Sequence, residues 1–135
     1  ALKRPLERSD IVQVNAVVKF FHRLELEEGM ILARQAAMDG PNENSEQLLK
    51  LAEQKYQAAL QIKPDDYRAL SNWGQSLQTR GVLEISQGNQ ENSVLLFQEA
   101  AEKYMQAVEL NNKSYQAWLS WGNLLVVWST LVKNA

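Results

Sequence analysis

The chain has 135 residues, 45% apolar and 22% charged, a balance typical of one folded domain rather than a disordered segment. Its formal net charge of −2 argues against a nucleic-acid-binding protein, which normally carries a basic patch. Cysteine is absent and no signal peptide is visible, so disulfides, thiolate catalysis and cysteine–zinc sites are excluded. We expect a cytoplasmic protein, or one on the cytosolic face of an organelle. Because the chain begins without Met and ends in an apolar segment, we expect a fragment.

Residues 1–9 are predicted to be a polar leading segment, and apolar residues at helical spacing then predict a first helix over about residues 10–39. Ser9 and Asp10 are its candidate N-cap. A helix of this length would be unusual, so a break near Glu25–Gly29 is an open alternative. The Gly-Pro pair that begins at Gly40 ends the helix.

Four further helices are predicted, each bounded by capping or breaking residues. Ser45 opens the second helix, Asp65 or Asp66 caps the third, and Ser93 caps the fourth. The predicted spans are about 45–62, 67–87, 93–110 and 114–132. No candidate partner strand occurs in the chain, so the predicted fold class is all-α with about five long helices.

The pattern of the second and third helices returns in the fourth and fifth, 48 positions later, as Trp73-Gly74 and Trp121-Gly122 show. Self-similarity at a fixed spacing of this order indicates stacked units that bury their apolar faces against each other. The same spacing relates Ala52, Tyr56, Ala59, Leu60, Ile62, Tyr67, Ala69, Leu70 and Leu77 to Ala100, Tyr104, Ala107, Val108, Leu110, Tyr115, Ala117, Trp118 and Leu125.

These positions resemble the tetratricopeptide repeat (TPR), over about residues 44–125. Pro64, which ends the first copy, also fits the family, and Asn112 replaces it in the second copy. The resemblance implies a right-handed superhelix of antiparallel helix pairs. In such pairs small residues let two helices approach closely, and aromatic residues fill the space between neighbouring pairs.

The repeat length departs from that family, which repeats every 34 residues or so. The additional residues lie between Leu77 and Ala100 and would lengthen each helix by about two turns without rotating its buried face. We therefore predict helices of about 19–22 residues. The second unit spans about residues 67–111, and the first, about 10–63, matches weakly, because Glu25-Leu26 stands where Trp73-Gly74 would.

The lengthened repeats are also similar, more loosely and over roughly residues 47–125, to the plant-type mitochondrial outer-membrane import receptor. This second resemblance implies a receptor for amphipathic targeting peptides. The chain departs from it by lacking a membrane anchor and by adding an N-terminal helix. It stands as an alternative.

In TPR proteins the first helix of each pair lines a concave groove, which implies that polar residues of the third and fifth helices bind a peptide. The predicted groove residues are Arg68, Ser71, Asn72, Gln75, Thr79, Gln116, Ser120 and Asn123, with Leu119 and Val127 beside them.

Chaperone-binding members of the family grip a terminal carboxylate with Lys, Arg and Asn. Only Asn72 matches that pattern, since Gln116 and Ser120 stand where basic residues are needed. An amide-rich groove instead suits hydrogen bonds to an extended or helical peptide. The alternative is that these side chains are merely solvated.

Aromatic and apolar residues near the C-terminus predict a second surface. Trp73, Trp118 and Trp121 are assigned to the core, and the apolar run that ends the fifth helix is too short and too polar to span a membrane. Without a following helix, we predict an exposed patch for a partner or a second copy, formed by Leu124, Val127, Trp128 and Leu131.

No catalytic residue, metal ligand or cofactor is predicted. His22 has no second histidine or cysteine near it, and Glu25, Glu27 and Glu28 lack complementary ligands, so structural or solvated roles are favoured. The sequence thus predicts a non-enzymatic scaffold for protein–protein interaction. Self-association, or a regulatory arm of an enzyme encoded elsewhere in a longer chain, are the alternatives.

Overall fold

The computed structural model describes residues 4–133, which form five α-helices and contain no strand. The predicted all-α class with five long helices is therefore confirmed. Residues 1–3 of the predicted leading segment and the final residues 134–135 lie outside this described part. The helices are α1 (Arg8–Asp39), α2 (Glu43–Ile62), α3 (Tyr67–Ser86), α4 (Gln90–Leu110) and α5 (Tyr115–Lys133).

α1 is a single helix of 32 residues, so the alternative of a break near Glu25–Gly29 is wrong. Its N-cap is Glu7 rather than Ser9 or Asp10. Asp10 lies in the first turn, where its carboxylate accepts a hydrogen bond of 3.0 Å from the N–H of Glu7. Gly29 lies within the continuous helix, and the ring of Tyr56 on α2 packs directly against it, since a Cβ at Gly29 would lie 2.6 Å from that ring.

α1, α2 and α4 start two or three residues earlier than the sequence predicts, α3 starts at Tyr67 as predicted, and α5 starts one residue later. Asn42, not Ser45, caps α2, and its side chain accepts a hydrogen bond of 2.9 Å from the N–H of Ser45. Asp66 caps α3 through a bond of 3.0 Å from the N–H of Arg68. Ser93 lies inside the first turn of α4, and its buried hydroxyl donates back to that turn. Helices α2 to α5 have 20, 20, 21 and 19 residues, as predicted.

Consecutive helices pack antiparallel, and the α1–α2 and α3–α4 pairs make the most extensive contacts. Both pairs use a tyrosine ring laid on a glycine. Tyr56 covers Gly29, and Tyr104 covers Gly74, where an added Cβ would lie 2.7 Å from the ring. Glycine lets the helix axes approach closely at these points, because any side chain would meet the ring.

The core runs through all four helix-to-helix interfaces rather than forming one central cluster. Between α2 and α3, Leu49 meets Leu83, while α4 and α5 are joined by Val108 against Ala117. The largest side chains that are almost fully buried are Tyr56, Tyr104, Phe97, Leu77 and Leu124. The core is therefore spread along the length of the helix stack.

Candidate functional site

The odd-numbered helices lie side by side along one face of the molecule. α3 contacts both α1 and α5, whereas α2 and α4 make no comparable contact with each other within the described residues. The stack is therefore narrower on the side of α1, α3 and α5. We call this side the odd-helix face.

A shallow pocket of about 170 Å³ lies on the odd-helix face where α1, α3 and α5 meet. It brings together four of the predicted groove residues, three from α3 and one from α5. The pocket, here called the amide pocket, is lined by Leu26, Met30, Tyr67, Arg68, Ser71, Asn72, Ser114 and Gln116.

The remaining predicted groove residues do not line the amide pocket. Gln75 and Thr79 lie further along α3, where the hydroxyl of Thr79 donates to the Gln75 carbonyl at 2.9 Å. Ser120 and Asn123 lie further along α5. The predicted groove extended over residues 68–79 of α3 and 116–123 of α5, but only its parts at residues 68–72 and 116 border the pocket.

A larger pocket of about 610 Å³ adjoins the first and shares Leu26, Met30 and Arg68 with it. Its walls are the middle of α1 and the end of α2. We call it the basic pocket; its lining residues are Val18, Lys19, His22, Arg23, Leu26, Glu27, Met30, Ile62, Lys63 and Arg68.

Sequence reasoning missed the whole contribution of α1 to this face. The repeat spacing of 48 pairs Leu26 with Gly74, whereas in the structure Gly29 takes the place of Gly74 beneath a tyrosine. The spacing of Lys19, Arg23 and Glu27 could have indicated this contribution, because the three residues are successively four positions apart and so share one face of a helix.

His22 has a structural contact inside the basic pocket. Its Nε2 lies 2.7 Å from Oδ2 of Asp66, and both side chains are largely buried, at 12% and 3% exposure. The other oxygen of Asp66 accepts the N–H of Arg68 and lies 3.6 Å from the Arg68 Nε. One carboxylate thus caps α3 and ties the start of α3 to α1 beside the basic pocket.

The predicted apolar patch of α5 is misplaced. Leu124 is completely buried, and Val127 and Trp128 pack against the core around Phe97, with the Trp128 ring centroid 5.9 Å from that of Phe97. Leu131 is half-buried. These residues face α4, because Trp128 occupies the repeat position that Arg80 holds on α3.

The exposed apolar surface of α5 lies instead on the opposite side of the helix. Trp118, assigned to the core from the sequence, is 48% exposed and stacks on Trp121 at 5.7 Å. Its repeat counterpart on α3, Leu70, is buried because α4 covers it. This exposed side, here called the open face of α5, consists of Trp118, Leu119, Gly122, Leu125 and Val126.

A buried ion pair joins α2 to α3 away from the odd-helix face. The Arg80 Nη1 donates to the Glu53 Oε1 at 2.7 Å, while the Glu53 Oε2 and the Arg80 Nε have no hydrogen-bond partner in the described structure. Burial raises the pKa of Glu53 to about 7, and the opposing effect of Arg80 compensates only in part. The pair therefore provides a titratable contact between the two helix pairs.

Two of the glutamates of α1 form ion pairs with a lysine of α2. Lys55 lies 2.8 Å from Glu28 and 3.5 Å from Glu25. Residues 4–133 contain no group of three or more acidic, histidine or cysteine side chains arranged to hold a metal ion. Among the same residues, no helix combines the length and apolar character needed to traverse a bilayer.

Comparison with known proteins adds no relative to this picture. No family model matches the chain, and neither curated proteins nor solved structures gave a match. The geometry described above therefore carries the functional argument by itself.

Proposed function

We propose that this chain is a TPR-like scaffold that binds a peptide or an extended partner segment on its odd-helix face, without catalysis. Its helix pairs would stack as turns of a right-handed superhelix. The supporting observation is the convergence of Arg68, Ser71, Asn72 and Gln116 on one pocket that continues into a larger one.

Chemistry of the amide pocket favours a peptide. Asn and Gln side chains offer both donors and acceptors, which suits the alternating N–H and C=O groups of a peptide backbone. The apolar side chains of Leu26 and Met30 form the shared floor, and the adaptable thioether of methionine can fit partners of different shape. The two pockets together would hold a segment of several residues.

A peptide array followed by fluorescence anisotropy tests this proposal on the purified chain. Asn72→Ala combined with Gln116→Ala should weaken binding of an array hit by about tenfold, which corresponds to loss of one or two hydrogen bonds. The matched control is Gln57→Ala combined with Gln98→Ala, two exposed amides on α2 and α4. An array without any binder, or equal losses in both double variants, would refute binding on this face.

A targeting-peptide receptor is a special case of the same proposal. The array should therefore include basic amphipathic helices of the targeting type beside neutral and acidic peptides. Preference for the basic helices would favour that case, and preference for other peptides would exclude it.

Self-association through the open face of α5 is a second candidate. It is favoured by the exposure of Trp118, Leu119, Leu125 and Val126 along a helix whose Gly122 has open space above it. Sedimentation should then show an oligomer that dissociates on dilution and that Leu125→Glu abolishes. A monomer at all concentrations would exclude this candidate and leave the groove proposal untouched.

A further inference from the structure

The basic pocket differs in charge from the rest of the molecule. Four basic side chains line it, Lys19, Arg23, Lys63 and Arg68, against the single carboxylate of Glu27. The whole chain carries a formal net charge of −2. Positive charge is thus concentrated at one concave site on an otherwise slightly acidic protein.

Three of these cations are not neutralised by the protein itself. Among the described residues, no ion pair within 4 Å involves Lys19, Arg23 or Lys63. The carboxylate of Asp66, which contacts two residues that line the pocket, is already engaged by them, His22 and Arg68. An incoming anionic group would therefore meet cations without displacing an internal partner, which removes one cost of binding.

The floor between these cations is apolar. Leu26 is almost fully buried, Ile62 is half-buried, and Val18 and Met30 are 45% and 39% exposed, so a surface for an apolar side chain is available. The volume of about 610 Å³ lies within the range of ligand-binding clefts. An ion of small size would leave this apolar surface uncovered.

We propose that the basic pocket binds a peptide segment in which carboxylate side chains flank a large apolar side chain. The apolar side chain would cover Leu26 and Met30, and the carboxylates would meet Lys19 and Arg23 on one side and Lys63 on the other. Lys19 and Arg23 are four residues apart on one helix and so project on the same side, one turn from each other. This inference rests on the proposed peptide-binding function and specifies its partner.

Charge complementarity favours such a peptide over a nucleic acid or a lipid surface. Nucleic acid requires a basic stripe long enough to follow a phosphate backbone, whereas these cations surround one pocket. A lipid surface requires basic residues spread over one plane, whereas Lys19 of α1 and Lys63 after α2 line one concave pocket.

The test measures anisotropy of three short fluorescein-labelled peptides with the purified chain. One contains Glu around a central Leu-Phe pair, the second replaces every Glu by Gln, and the third replaces every Glu by Lys. The Glu peptide should bind at least about tenfold more tightly than the Gln peptide, and its affinity should fall between about 0.05 and 0.3 M salt.

Matched charge reversals locate the binding. Lys19→Glu combined with Arg23→Glu should abolish the preference for the Glu peptide, whereas Arg34→Glu combined with Lys113→Glu changes the net charge equally and should retain it. Both pairs replace exposed side chains, and circular dichroism checks that each variant is folded. Lys63→Glu, in the connection after α2, repeats the test outside α1.

Each outcome decides the proposal. Equal binding of the Glu and Gln peptides, or equal losses in the two charge-reversed pairs, would overturn the basic pocket as the acidic-peptide site while leaving groove binding intact. Binding of the Glu peptide to the Lys19/Arg23 variant with unchanged affinity would overturn it too. If neither these three peptides nor any peptide of the array bound to the chain, both proposals would be overturned together.

Discussion

The helix pairs α1–α2 and α3–α4 both pack a tyrosine ring on a glycine, although the spacing between these two residues differs between the pairs. Tyr56 and Tyr104 are 48 positions apart, but the glycines beneath them, Gly29 and Gly74, are 45 apart. The first hairpin is thus three residues shorter between its glycine and its tyrosine. What the two pairs share is the close approach of a ring to a glycine, which sets the distance between the helices.

The residue before each of these tyrosines is a lysine, and the two lysines make different contacts. Lys55 and Lys103 are equivalent, yet Lys55 pairs with the Glu28 carboxylate at 2.8 Å while Lys103 lies 4.0 Å above the ring of Trp73. Glu28 and Trp73 each precede the packed glycine. Because this position is near the surface, either an ion pair or a cation–π contact serves there.

The largest expected effect comes from removing the shared rings. Tyr104→Ala and Tyr56→Ala should each lower the free energy of unfolding by about 3–5 kcal/mol, because each ring is almost fully buried and leaves a cavity over a glycine. Urea denaturation followed by circular dichroism measures both. A cost at Tyr56 below about 1 kcal/mol would show that the first pair is not held in the same way.

The ion pair between Glu53 of α2 and Arg80 of α3 should make the free energy of unfolding depend on pH. The pKa of Glu53 is raised by burial to about 7 in the folded protein, so between its unfolded value and 7 the folded state holds more protons. Its contribution to stability is therefore complete at or below the unfolded pKa of about 4.5, falls as the pH rises, and is lost once the pH has passed about 7, a change of about 3 kcal/mol.

Urea denaturation of the wild type at a series of pH values from about 4.5 to 8 measures this loss. Glu53→Gln should remove most of it, and Glu102→Gln, which replaces an exposed carboxylate on α4, serves as the control. Retention of the full pH dependence in Glu53→Gln would assign it to another group.

Glycine substitutions separate covered from open positions. Gly74→Ala and Gly29→Ala should destabilise by about 1–3 kcal/mol, because the new methyl group would lie under 3.0 Å from a buried ring. Gly122→Ala, at the equivalent position on α5 with nothing within 4 Å, should instead stabilise by about 0.5–1 kcal/mol through helix propensity. Thermal unfolding compares the three variants, and a loss at Gly122 would mean that its space is occupied, for example by a second copy.

The smallest effects should distinguish the two lysine contacts. Double-mutant cycles between Lys55 and Glu28 and between Lys103 and Trp73 should each give a coupling energy of about 0.5–1 kcal/mol. High salt should reduce the first coupling more than the second, since exposed ion pairs are screened. Equal salt sensitivity of the two cycles would contradict the different chemistry seen at the two sites.

The residues differ in how far their roles could be predicted. The repeat of Ala, Tyr and Trp-Gly predicts paired helices because the spacing of these residues follows the helical period. Asn72 and Gln116 could then be assigned to one surface, because the repeat places their helices side by side. Lys19 and Arg23 could not be assigned to that surface, because Gly29 lies three positions after the residue that the 48-residue spacing pairs with Gly74. Leu124 and Leu125 show the same limit, since both are apolar neighbours and only packing decides which one is covered.

By itself, the sequence determined the helical class, the number and length of the helices and the turns between them, because periodicity, proline, glycine and capping residues act locally. Only the tertiary structure decided which apolar side of α5 is covered and which charges meet in one pocket. Those outcomes depend on the angle at which neighbouring helices pack, and that angle is set by long-range contacts such as Tyr56 on Gly29 and His22 on Asp66.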